Sequence, residues 1–209
     1  MKIGIQGELG AYSHIAANNL FKDSVIKTCA TFEETFKQAY KDENCKIIIP
    51  IENSLAGRVA DIHYLLPKYK LQIHGEYFLN VEHNLLCKPN ATIEDIKYVR
   101  SHAQAIGQCQ NIIHKKKFQS IISADTAGSA KDLAEGDDKS IAAIASELSA
   151  QIYKLKILEK NIEDEKGNVT RFLIMGKNVE QPEFKKDKRY ITSCIFRLKS
   201  EPSALYKCL

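Results

Sequence analysis

Short β-branched runs separated by stretches of helical periodicity constrain this chain more than any other feature. The runs fall at residues 2–6, 25–28, 46–49, 96–100, 120–123, 140–145 and 156–162. Each is too short for a helix, and the alternation is that of an α/β protein, a sheet with covering helices. The helix expected between the second and third runs opens at Thr31 and carries Glu34 three residues later. That is capping-box spacing, and it precedes an apolar face of Phe32, Thr35, Phe36 and Ala39. Thr92 with Asp95 gives a weaker version of the same start.

Two segments interrupt the rhythm. Residues 71–87 (LQIHGEYFLNVEHNLLC) read as one long strand with no helix before the next run, and residues 170–176 (TRFLIMG) read as a second extended stretch. A chain that leaves one lobe along the first and returns along the second has two α/β lobes with a cleft between them, where ligands commonly sit. The 209 residues suffice for one bilobed unit and a fragment, not for two complete large domains. After Gly176, KNVEQPEFKKDKR reads as a linker, and RYITSCIFRLKSEPSALYKCL begins a strand and a helix that cannot bury a core alone.

Composition removes several functional classes. With 44% hydrophobic and 27% charged residues the chain is of ordinary globular type. Thirty Lys and Arg against 26 Asp and Glu leave a charge of +4, and the densest basic run, 114–117, reads as a solvated helix end, so no nucleic acid is expected as partner. No apolar stretch approaches the ~20 residues of a membrane span, and MKIGIQGELG lacks the apolar core of a secretion signal. Six cysteines, Cys29, Cys45, Cys87, Cys109, Cys194 and Cys208, form no C-x-x-C pair and no zinc-type cluster. Free thiols in a reducing, cytoplasmic compartment are the expectation. His14, His63, His74, His83, His102 and His114 lie isolated along the chain. No dinucleotide fingerprint, Walker loop or H-E-x-x-H motif occurs, so neither a metal nor an organic cofactor is expected.

Four polar, small-residue clusters lie where expected strands give way to helices: residues 6–13 (QGELGAYS), 50–57 (PIENSLAG), 101–109 (SHAQAIGQC) and 125–130 (DTAGSA). Unpaired N–H groups at helix starts, with hydroxyls beside them, suit anionic groups. Taken alone, each cluster is capping and turn chemistry. Four turned toward one cleft would suit a small substrate with more than one carboxylate. Arg171 would enter that cleft beside the second crossing, where a guanidinium can hold a carboxylate through two parallel hydrogen bonds. A structural ion pair across the hinge is its alternative.

These clusters, in this order, together with AAIASELSAQIYKLKILEKNIED at 142–164 and N-x-T-R-F at 168–172, resemble the prephenate dehydratase family over residues 2–176. The tail from about residue 188 is similar to the opening of the ACT regulatory domain that follows in that family. The resemblance implies a two-lobed α/β region like the type II periplasmic-binding fold over 1–177, with lobe one about 1–76 plus 171–177 and lobe two about 77–170. A linker at 178–187 and an incomplete ACT domain at 188–209 would follow. It implies a carbon–oxygen lyase that converts prephenate to phenylpyruvate in L-phenylalanine biosynthesis, cytoplasmic, without cofactor, and assembled as a homodimer or homotetramer. Thr170 would be catalytic, a donor to the departing hydroxyl. Asn53, Ser54, Ser101, Gln104, Gln108, Thr126 and Ser129 would surround the ring and the side-chain carboxylate, with Arg171 as a carboxylate contact. Ser203 stands where the family has Gly in E-P-G-A-L, and the resemblance stops at Leu209 before the phenylalanine-binding E-S-R-P motif, so this reading expects no response to phenylalanine. Arogenate dehydration, or non-catalytic binding of a small anion by the same bilobed fold, are the rival readings.

Overall fold

Three consecutive isoleucines, Ile47, Ile48 and Ile49, are fully buried in the middle of one strand. Successive strand side chains point to opposite faces, so this run requires cover on both sides of its sheet. In the computed structural model, which describes residues 1–178, 183–189 and 198–208, it has that cover. β1 (Lys2–Gln6), α1 (Tyr12–Leu20), β2 (Val25–Cys29), α2 (Phe32–Lys41) and β3 (Cys45–Asn53) form a parallel core in the order β2-β1-β3. Ile47 and Ile49 pack with Phe36, Ile62 and Leu173 on one face, and Ile48 with Ile3, Ile5 and Phe172 on the other. Full burial of each such side chain stabilises the fold by roughly 2 kcal/mol.

β4 (Gly57–Arg58) turns back on β3, and α3 (Ala60–Tyr69) leads into β5 (Gln72–Asn80). The second lobe follows with β6 (Asn84–Cys87), β7 (Tyr98–His102), α4 (Ala103–Gly107), α5 (Gln110–Lys116), β8 (Gln119–Ser123), α6 (Thr126–Glu135), β9 (Ile141–Ala145), α7 (Glu147–Tyr153) and β10 (Lys156–Glu159). Its sheet has the order β10-β6-β9-β7-β8. The chain then returns as β11 (Val169–Gly176), antiparallel between β3 and β5 of the first sheet. The α/β class and the two lobes expected from the sequence are those observed.

The stretch 71–87 is not one strand. β5 pairs with β11 along its whole length, from Gly176↔Gln72 to Val169↔Asn80, and there the ladder ends. Val81 to His83 then carry the chain across, and β6 pairs with β9 and β10 in the other sheet. The sheets therefore divide at Asn80 and Val169, slightly displaced from residues 76 and 171. The two crossings run side by side: Val81 N donates to Asn168 O at 2.8 Å and Ile162 N to His83 O at 2.9 Å. The Thr31 cap forms, with Oγ1 accepting from Glu34 N at 3.1 Å. Thr92 and Asp95 instead close a turn without a helix, the carboxylate accepting from Thr92 N at 2.8 Å and Oγ1 at 2.9 Å.

The lobes also meet away from the crossings, where the β1–α1 loop lies on α7. Gly10 O accepts from Ser146 Oγ at 2.6 Å and Ser149 Oγ at 3.1 Å, and Leu9 O accepts from Tyr153 Oη at 3.0 Å. A Cβ on Gly10 would stand 2.4 Å from Ser149 Oγ and 2.8 Å from its Cα, at a φ of +92°. Only glycine fits there.

Residues 180–209 form a unit of their own. It contains α8 (Ala204–Cys208), preceded by Ser203 at a φ of 62°. The strand expected from about residue 190 lies outside the described residues. Cys29, Cys45, Cys87, Cys109 and Cys208 are free thiols, and Cys194 also lies outside. Among the described residues no helix is long and apolar enough to cross a membrane, and no cluster could hold a metal ion.

Candidate active site

A cavity of about 550 Å³ opens between the lobes. The first lobe contributes the β1–α1 loop, the end of β3 and the β4 hairpin; the second contributes α4 and the start of α6; the crossings contribute Val81, His83, Asn168 and Thr170. Strand ends place these side chains because β3 and β11 terminate together, at Asn53↔Thr170.

Asn53 uses every hydrogen-bonding group it has. Its Oδ1 accepts from Leu55 N at 3.0 Å and Ala56 N at 2.9 Å, while its Nδ2 donates to Asn168 Oδ1 at 2.6 Å and Thr170 Oγ1 at 2.9 Å. Thr170, 9% exposed, thus accepts on its oxygen and retains its own proton for the cavity it lines. Asn168 Nδ2 donates to Gln108 Oε1 at 2.9 Å, and His83 Nε2 lies 2.9 Å from the same oxygen. On its other side, His83 Nδ1 lies 2.7 Å from Tyr12 Oη, which is also 2.9 Å from Glu82 O. An unbroken path of hydrogen bonds therefore joins Tyr12 of α1 to Thr170 of β11 through both lobes. Burial holds the His83 pKa below its ordinary value, against the opposing pull of Gln108 and Glu163, and burial raises that of Tyr12 well above its own. Both stay neutral near pH 7.

Three helices start at the cavity, in different states. Asp125 Oδ1 caps α6 by accepting from Gly128 N at 2.6 Å, and His102 Nδ1 caps α4 by accepting from Gln104 N at 3.3 Å. α1 has Ala11 at its N-cap position with no side-chain cap, and Ala11, Tyr12 and Ser13 line the cavity. An uncapped start attracts negative charge. Arg58 is the one Lys or Arg among the described residues on the cavity wall; Asp61 and Asp125 are its carboxylates.

Of the residues singled out in the sequence, Thr170, Asn53, Gln104, Gln108 and Thr126 line the cavity. Ser54, Ser101, Ser129 and Arg171 do not. Ser54 Oγ ties Gly167 O at 3.1 Å to Val169 N at 2.9 Å, Ser101 Oγ donates to Ile144 O at 2.7 Å, and Ser129 Oγ donates to Asp125 O at 2.8 Å. These hydroxyls brace the strand and helix ends behind the wall. Arg171 points to the opposite face of β11, where Nη1 meets Glu52 at 3.1 Å and Nη2 meets Glu76 at 2.6 Å. The pairs are structural, as the alternative reading had it, but they tie Arg171 to the neighbouring strands β3 and β5 of its own sheet and do not cross the hinge. The sequence reading missed Tyr12, Arg58, His83, Asp125 and Asn168. Tyr12, Arg58 and Asp125 lie inside or next to the quoted clusters, and Asn168 opens N-x-T-R-F, but nothing local marks His83.

The family described as prephenate dehydratase matches residues 3–180. An arogenate dehydratase/prephenate dehydratase of chloroplasts from Arabidopsis thaliana is 39% identical over 209 residues, which is 100% of this chain and 53% of the relative. A prephenate dehydratase from Methanocaldococcus jannaschii is 39% identical over 207 residues, 96% of this chain and 73% of the relative. The chain therefore spans about half the length of the plant protein. Among solved structures, that of GqqA, titled a novel type of quorum quenching acylase, superposes with a TM-score of 0.83 at 35% identity, covering 99% of this chain and 75% of that one.

Proposed function

The chain belongs to the prephenate dehydratase family, and from that premise we propose that it converts prephenate to phenylpyruvate. The bond from ring to carboxylate breaks and releases carbon dioxide, its electron pair enters the ring, and the ring hydroxyl departs and is protonated to water. Aromatisation drives the step, so the protein needs to bind a dianion in the reactive shape and assist the leaving hydroxyl.

One observation carries this reading: Thr170 Oγ1 accepts from Asn53 Nδ2, so its own O–H is free to donate into the cavity. A threonine hydroxyl is a poor proton source at neutral pH, and Thr170 acts here as a fixed donor to the departing oxygen, with water supplying the proton. Such a donor, set before the reaction, contributes about 3 kcal/mol. Arg58 and the uncapped start of α1 hold the carboxylate that stays, with Gln104, Gln108 and Thr126 around the side chain. Val81, Pro50 and Phe172 line the cavity as apolar surface against the ring. Asn53, Ser54, Ser101 and Ser129 keep these groups in position. No cofactor enters this scheme.

Arogenate is the second substrate to consider, because Asp61 and Asp125 line the same cavity and a carboxylate suits its ammonium group. On the same premise residues 1–177 form the catalytic region, 178–187 a linker and 188–209 the opening of an ACT domain. The left-handed backbone of Ser203, where the family has Gly, supports the last assignment. The family resemblance also supports a homodimer or homotetramer in the cytoplasm.

Mixing the purified protein separately with prephenate and arogenate, and following phenylpyruvate absorbance in alkali and phenylalanine by chromatography, tests the reading. Product from neither substrate would overturn it.

A further inference from the structure

The hydrogen-bond path behind Thr170 has a direction, and its direction can be deduced. A side-chain amide can be turned over without changing its shape, and a neutral imidazole has two tautomers, so each orientation has to follow from partners whose role is fixed. The backbone N–H groups of Leu55 and Ala56 can only donate, which makes the Asn53 atom facing them its oxygen. Its nitrogen then faces Asn168, so the Asn168 atom 2.6 Å away is an oxygen and the amide nitrogen of Asn168 points at Gln108. That nitrogen needs an acceptor, which makes the Gln108 atom between Asn168 and His83 the oxygen. An amide oxygen 2.9 Å from His83 Nε2 needs a proton on that nitrogen. His83 is neutral, its pKa lowered by burial, so Nδ1 is bare and accepts from Tyr12.

We propose that His83 and Asn168 are positioning residues that hold Gln108 with its NH₂ group turned into the cavity, where it donates to an oxygen of the substrate. The turn at Leu55 and Ala56 sets this polarity, and His83 is locked as the Nε2–H tautomer. Turned over, Gln108 would present its oxygen to a dianion, which repels it. The path is poised between two arrangements: Tyr12 has one proton, so while it donates to His83 Nδ1 its 2.9 Å contact with Glu82 O is left without one, and it donates to Glu82 O once His83 Nδ1 carries the proton.

Asn168→Asp separates the two. A carboxylate at this position still accepts from Asn53 but cannot donate to Gln108. Gln108 therefore turns over, offers its nitrogen to residue 168 and to His83 Nε2, and moves the His83 proton to Nδ1. The measurement is ¹⁵N–¹H correlation of the imidazole nitrogens in substrate-free protein, with steady-state kinetics alongside. The wild type is expected as the Nε2–H tautomer, the variant as Nδ1–H with KM raised at least tenfold and kcat changed less. Added negative charge alone would raise KM and leave the tautomer where it was. Gln108→Glu provides a second variant, since its carboxylate keeps both accepted hydrogen bonds: the Nε2–H tautomer stays and KM rises. A wild-type His83 in the Nδ1–H form, or an Asn168→Asp protein that folds and keeps Nε2–H, overturns the proposal. The inference rests on the dehydratase reading for what the amide meets, but the tautomer is read without substrate. A correct tautomer in an inactive protein would therefore count against the function alone.

Discussion

The lobes are joined around the cavity and again behind it, and the two junctions are made from different materials. Behind, Gly10 and Leu9 offer backbone oxygens to Ser146, Ser149 and Tyr153, with no space for a Cβ. Around the cavity, side-chain amides, an imidazole and two hydroxyls pass hydrogen bonds between lobes and leave donors over at Gln108 and Thr170. The rear junction is saturated, and everything in it is spent on holding the lobes. In the front junction Tyr12, His83, Asn168 and Asn53 are engaged with one another or with their neighbours, and Gln108 and Thr170 keep a donor for the cavity. A fold that has to present unsatisfied donors to a substrate needs its rigidity from somewhere else, and the rear junction supplies it.

If that division is right, the two junctions fail differently when damaged. Gly10→Ala forces a Cβ into Ser149 at a positive φ, and overpacking plus backbone strain cost about 3 to 4 kcal/mol of stability. The melting temperature is expected to fall by about ten degrees, and a shift under two degrees would mean that the rear junction carries no load. Thr170→Ala does the reverse. It removes one donor to the departing oxygen, worth about 3 kcal/mol or a hundredfold in kcat, with KM nearly unchanged and the melting temperature lowered by only about three degrees, because Asn53 Nδ2 loses one of its two acceptors. A variant with normal kcat and a raised KM would assign Thr170 to binding instead.

Arginine discriminates on a smaller scale. Arg58→Ala should raise KM about tenfold, since one charge-assisted contact is lost. Arg171→Lys should leave KM alone and shift the melting temperature by no more than about two degrees, because an ion pair this near the surface contributes little. Equal effects of the two on KM would place both at the ligand.

The same pair explains what the sequence could and could not convey. Thr170 and Arg171 are neighbours on a strand, and alternation alone dictates that only one can face the cleft. The motif drew both in, while the period of two separates them. The α/β alternation was legible because β-branched runs and capping residues are local signals, as Thr31 with Glu34 bears out. The break at Val81 was not, because it follows from where the partner strand β11 ends, a non-local fact. Ser101 and Ser129 looked like ligand contacts because a hydroxyl that braces a helix end and one that binds a substrate are identical as letters. His83 and Asn168 gain their meaning only from residues far away in the chain, Tyr12, Gln108 and Asn53.

Each junction also contains one histidine that accepts at Nδ1. His14 takes the amide proton of Gly10 at 3.0 Å behind the cavity, and His83 takes the hydroxyl proton of Tyr12 beside it. Burial lowers both pKa values below the ordinary 6.5. The unfolded chain therefore binds protons at these sites at a higher pH than the folded one, so stability is complete above about pH 6.5 and declines as the pH falls through the interval down to each folded pKa. The slope cannot exceed about 1.4 kcal/mol per pH unit for each proton. Carboxylates whose pKa values are lowered by their partners, such as Asp42 beside Lys2 and Glu33 beside Lys68, titrate at lower pH and lose their contribution there. Comparing urea midpoints at pH 7.5 and 5.5 therefore isolates the histidines, and the wild type is expected to be less stable at pH 5.5. His14→Asn keeps an acceptor near Gly10 without a titrating ring, so it should flatten part of that difference and leave the rest to His83 and to His74, whose pKa burial also lowers. A variant with the full wild-type difference would show that the rear junction is indifferent to its histidine, and a wild type more stable at pH 5.5 would remove the account of both.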